Sequence, residues 1–154
     1  MSPVPSCPEG QIEALAKLLG ECGSGTDLTR VLHDRGLEDH SGESTKWRRL
    51  YSVFLSCQRQ HGCANRVLDF ISSFLTPARF VGRSADFEQR RGELNAILAF
   101  SGLEYGADGK FRQRQAARTL DEAESRLRAI QTRFRDRRIH AEVLKYCRTE
   151  LLQD

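Results

Sequence analysis

Apolar residues recur three and four positions apart along most of this chain, in short stretches that each end at a glycine or a proline. That spacing lines one face of an α-helix. Glycine favours the left-handed turn that ends a helix, and proline cannot continue one. No alternating stretch of comparable length argues for a β-sheet. The expected fold is therefore mainly α: a helical domain of about seven helices with one small two-stranded β-hairpin.

The arm 1–7 holds two prolines and little apolar content, so it is expected to be loose and flexible. From Pro8, the residues Ile12, Leu15, Leu18, Leu19 and Cys22 share one helical face, and "GECGSG" ends the helix. Thr26 is placed to cap a second helix that carries Leu28, Val31 and Leu32 and stops at Gly36. Ser44 or Thr45 opens a third, with Trp47, Leu50, Phe54 and Cys57 inward and Gly62 at its end. A fourth buries Val67, Leu68, Ile71, Phe74 and Leu75 before Pro77. Ser84 is placed to cap a fifth that turns Phe87, Leu94, Ile97 and Leu98 inward and ends at Gly102. Gly92 weakens it by about 1 kcal/mol relative to alanine.

"LEYGADGKFR" then breaks the helical pattern. Tyr105 and Phe111 favour strands, and Asp108-Gly109 suits a turn with positive φ, so 103–112 is expected to be a hairpin packed on the helices. Thr119 and Glu122 read as a capping box that starts a long helix. Leu120, Ala123, Leu127, Ile130 and Phe134 form its seam, and "RDRRIH" interrupts it. A last helix carries Val143, Leu144, Cys147 and Leu151. The two are expected to pair as a helical hairpin over 119–153, the seam packing against 141–152. The whole of 8–154 reads as one helical domain, with 8–102 as its core. A chain of 154 residues with 39% hydrophobic content can fold without disulfide or metal staples.

Charge is unevenly spread. Residues 1–45 carry 3 basic and 8 acidic side chains, whereas 110–138 carry 10 basic and 4 acidic. Such polarity can steer an acidic partner, although 20 arginines against 4 lysines also fit a solvated surface and a GC-rich genome. Five cysteines, an odd and irregularly spaced set, follow no apolar leader, which fits a cytoplasmic protein with reduced thiols. No apolar run reaches membrane-spanning length.

Chemical motifs are scarce. "CQRQHGC" sets Cys57, His61 and Cys63 close together, but it lacks the knuckle spacing and fourth ligand of structural zinc, so Cys57 reads as a buried thiol. "CGSGTDL" is glycine-rich ahead of a helix but lacks the lysine of a phosphate-binding loop. His33, His40, His61 and His140 fall in no catalytic array, and no carboxylate pair stands out for acid–base work. The expectation is a protein that is not an enzyme and holds no metal or cofactor. Basic residues on or near a hairpin resemble the wing of a winged helix. Lys46, Arg48, Arg49, Lys110, Arg112 and Arg114 are accordingly the candidate nucleic-acid contacts. The helix ahead of that hairpin mixes Glu88, Arg90, Arg91 and Glu93, which is poor chemistry for reading phosphates.

Several segments occur together in order: "STKWRRLYSVFLSCQ", "CANRVLDFISSFLTPARFVG", "LNAILAFSGLEYGADGKFR", "ARTLDEAESRLRAI" and "EVLKYCRTELLQD". Over Leu28 to Asp154 they resemble the N-terminal region of the Ymh-type conserved hypothetical bacterial family, found in phage-defence and mobile-element neighbourhoods. Abortive-infection N-terminal domains share a similar "RLY…Q…FI…P-R" theme. The resemblance implies an isolated N-terminal module, since family members continue into a separate C-terminal helical domain. It implies a non-catalytic interaction or sensor role in antiphage defence, recruiting or regulating an effector domain or partner protein. Opposite charge at the two ends adds self-association between copies. A nucleic-acid-binding module is the alternative.

Overall fold

The computed structural model describes residues 2–127. Its order is α1 (Glu9–Gly20), α2 (Gly25–Asp34), α3 (Lys46–His61), α4 (Asn65–Phe74), a 3₁₀ turn (Pro77–Phe80), α5 (Ser84–Leu98), a second 3₁₀ turn (Ala99–Ser101), β1 (Leu103–Tyr105) and β2 (Phe111–Gln113). The chain is helical again over 120–127, called α6 here. The class is the expected one, mainly helical with one antiparallel strand pair. No helix among the described residues is long and apolar enough to cross a membrane.

One core joins all of these helices except α6. Ile12, Leu15 and Leu19 of α1 meet Leu50 and Phe54 of α3, all fully buried. Phe54 and Phe70 meet edge to face at 5.4 Å, and Phe70 stacks on Phe74 at 5.3 Å, which ties α3 to α4. The other side of α1 packs on α5. The strands pair Leu103 with Gln113, Glu104 with Arg112 and Tyr105 with Phe111. Ala99, Ala117 and Ala123 form a separate small cluster that brings α6 against the end of α5.

Several expectations give way to local chemistry. The arm is seated rather than loose. Val4 and Cys7 are buried, the Val4 N–H donates to Asn65 Oδ1 at 2.7 Å, and its carbonyl accepts from the Ala64 N–H. Gln58, buried on α3, accepts from the Cys7 N–H at 2.8 Å and donates to its carbonyl at 3.1 Å. A polar arm is held because buried amides elsewhere need its backbone. Ser24, not Thr26, caps α2. Its hydroxyl accepts from the Asp27 N–H, and the Asp27 carboxylate accepts from the Ser24 N–H. Ser84 is the first residue of α5 and Arg83 holds the cap position without a side-chain bond. Gly92 lies on the buried side of α5.

The Thr119 and Glu122 box forms in a shifted version. The Thr119 hydroxyl accepts from the Glu122 N–H, while the Glu122 carboxylate reaches back to the Arg118 N–H. The remainder of the long helix, its "RDRRIH" break, the last helix and their pairing lie outside the described residues. Of the described seam residues, Ala123 is buried against Ala99 and Ala117, whereas Leu120 is exposed.

Candidate functional site

The hairpin is built into the core by its backbone. Tyr105 is fully buried and donates its hydroxyl to the Leu75 carbonyl at 2.8 Å. The Asn95 side chain pairs with the Tyr105 backbone on both sides, accepting its N–H at 2.7 Å and donating to its carbonyl at 3.0 Å. Arg91 donates to the same carbonyl at 3.1 Å. At the tip, Gly109 has φ +80°, and its carbonyl accepts from the Ser72 hydroxyl. These bonds anchor the hairpin to α4 and α5.

The six basic candidates divide into two groups. At the start of α3, Lys46 donates to the Gly23 carbonyl at 3.0 Å, and Arg48 lies over the Trp47 ring at 5.5 Å. Arg49 is mostly buried and committed: it bonds Asp39 at 2.8 Å and the Thr29 hydroxyl at 2.9 Å. It thereby staples the loop after α2 to the start of that helix. On the hairpin, Arg112 makes two bonds to Asp108, and Arg114 contacts Glu104 of the neighbouring strand. Lys110 is exposed. The Arg112 bond holds the Asp108 carboxyl below its usual range.

The remaining motifs resolve into structural parts. In "CGSGTDL" the Ser24 and Asp27 N–H groups are engaged in the capping box. A Cβ on Gly23 would stand 2.7 Å from the Phe74 ring, so this glycine permits a close helix approach. Cys57 is buried in the core, and no cluster of three or more His, Cys, Asp and Glu among the described residues is placed to hold a metal ion. Burial pushes the Cys7, Cys22 and Cys57 thiols up, Cys22 to about 11, so these three are protonated and poorly nucleophilic at neutral pH. A cavity of about 350 Å³ lies between the Gly36–His40 loop and the end of α3, bordered by His61 and Arg66. Its charged lining residues are solvent-exposed, and Glu38 is already paired with His40.

The feature that periodicity missed is an apolar groove of about 620 Å³. Its floor is fixed by Gln11, whose amide donates to the Ile97 carbonyl at 3.0 Å and to the Ser101 hydroxyl at 2.8 Å. Ala14 of α1 forms one wall, Ala96 and Ile97 of α5 another, and Leu120, Ala123 and Leu127 of α6 the third. Phe100 stands at its edge in the 3₁₀ turn. It is 45% exposed and Leu120 is 64% exposed, two of the three large apolar side chains that face solvent among the described residues. The charged residues lining the groove, Glu93 and Glu124, are both acidic. The seam was visible in the sequence. The outward residues of α5 were not, because alanines and one isolated phenylalanine leave no periodic signal.

No family model, curated protein or solved structure matches this chain.

Proposed function

We propose that this chain is a non-catalytic helical interaction module that docks an amphipathic helix in the groove between α1, α5 and α6. The carrying observation is the groove itself, a concave apolar surface with Phe100 and Leu120 held open to water. Leaving such surface hydrated costs about 25 cal/mol per Å², and a helix that lays its apolar face into a groove recovers it. Small residues on two walls, Ala14 and Ala96, leave room for large side chains from a partner. The resemblance to the phage-defence family supplies the biological setting, in which the docked helix belongs to an effector.

The test is fluorescence anisotropy with a labelled synthetic helix of about 18 residues, leucine on one face and arginine on the other. Saturable binding that falls about tenfold in Ala96→Glu, which puts a charge on the groove wall, is the expected result. Equal binding by both proteins sinks the docking reading. Labelled duplex DNA, single-stranded DNA and RNA run alongside. The nucleic-acid reading has less support, because Arg49, Arg112 and Arg114 are already bound to carboxylates. Tight binding that weakens steeply with salt would favour it instead.

A further inference from the structure

The arm ahead of α1 is held as a bound peptide is held. Pro3, Pro5 and Pro8 have φ fixed at about −65°. Ser2, Val4 and Cys7 each precede a proline, which drives them into the extended region. Pro8 itself sits at φ −58° and ψ 155°, the polyproline II conformation. That helix turns once in about three residues, so every third side chain falls on one edge. Burial follows that period. Val4 and Cys7 are each 6% exposed and join the main core, whereas Pro3, Pro5 and Ser6 face water. The seat is made largely of side-chain amides. Gln58, itself 6% exposed, pairs with both backbone groups of Cys7. Asn65, at the start of α4, accepts from the Val4 N–H and donates to the Ser2 carbonyl at 3.2 Å. The Ala64 N–H donates to the Val4 carbonyl at 2.9 Å. The arm N–H groups that these bonds use belong to the two buried residues. The seat therefore accepts proline at its exposed positions and rejects it at its buried ones.

We propose that the seat formed by Gln58 of α3 and the start of α4 is a recognition site for proline-rich extended peptides, and that residues 2–8 are its occupant in cis. It selects small apolar residues with free N–H groups at two positions three apart, with prolines at the exposed positions beside them. Amides that pair with backbone leave those exposed side chains unread, so a segment of another protein with the same pattern makes the same bonds. That segment must displace the arm. The arm is tethered, at an effective concentration on the order of millimolar. An incoming peptide therefore meets a site that is open only for the fraction of time the arm is away. This site is separate from the groove between α1, α5 and α6 and stands whether or not that groove docks a helix.

Two measurements on the full chain test this. The probe in both is a synthetic peptide of residues 2–8 carrying Cys7→Ala. The first is anisotropy of the labelled peptide on the unaltered protein and on Val4→Asp, which unseats the tethered arm, with circular dichroism checking the fold. The peptide should bind Val4→Asp about tenfold or more tighter. A control peptide that also carries Val4→Pro stays extended but lacks the N–H that Asn65 accepts, and it should not bind. Equal affinity for both proteins, or equal binding by both peptides, overturns the proposal. The second needs no variant protein. Alkylation of Cys7 by iodoacetamide is followed by mass spectrometry on the unaltered chain, with and without roughly millimolar peptide. Displacement uncovers the thiol, and its alkylation should quicken about tenfold. An unchanged rate overturns displacement of the arm. Sedimentation over a range of protein concentrations distinguishes the remaining occupant. A dimer that forms as concentration rises and is split by the peptide assigns the seat to the arm of a second copy, which overturns a foreign ligand.

Discussion

Tyr105 and Gly109 show how one residue type at one position secures the hairpin. Gly109 holds φ +80°, and a Cβ there would stand 3.0 Å from the Pro77 ring. Valine adds both backbone strain and a clash. Gly109→Val should therefore lose about 3 kcal/mol in urea unfolding, and a loss below about 0.5 kcal/mol would mean the tip is not held as described. Asn95 belongs to the same argument. A polar side chain on the buried face of α5 is kept because it pairs with both backbone groups of Tyr105, and a buried amide without such partners would be costly.

At the scale of elements, helix starts and strand edges can be tested separately. Ser24→Ala removes the hydroxyl that caps α2 and should cost about 1 kcal/mol in thermal or urea unfolding; Thr26→Ala, which makes no such cap, should cost much less. The two hairpin arginines should differ. Arg112 pairs with Asp108 at the exposed turn, and Arg112→Ala should leave stability unchanged within error. Arg114 covers Glu104, whose carboxylate is 17% exposed, with a buried oxygen. Arg114→Ala should cost about 1 kcal/mol by leaving that oxygen without its cation. Comparable midpoints for the two single variants would contradict this distinction. Exposure of a partner across a strand cannot be seen in the order of residues.

For the whole molecule, pH links one side chain to global stability. Burial, then the nearby Asp108 carboxylate, raises the Tyr105 hydroxyl to about 12, against about 10 in an unfolded chain. The unfolded state gives up this proton first. The stabilisation is therefore complete below about pH 10 and is lost as pH rises through about 12. Urea midpoints should fall between about pH 8 and about pH 11. Tyr105→Phe should flatten that fall while costing about 1 kcal/mol at neutral pH, because the Leu75 carbonyl loses its donor. An identical alkaline decline in both proteins would place the titration elsewhere.

Helix positions, their apolar faces and the hairpin were legible from residue order, because helical periodicity, glycine stops and the Asp108-Gly109 turn act over a few neighbouring residues. Ile12, Leu50, Phe54 and Leu68 were readable as core, or as helix faces meeting it, for that reason. The seated arm, the Arg49–Asp39 staple and the apolar groove depended on residues far apart in the chain. Asn65 meets Val4, and Ala14 comes to face Ala96 and Leu120, only once α1, α5 and α6 have packed. Local propensity carries no information about which helix faces which. The concave surface left between them is a product of packing, and no single segment encodes it.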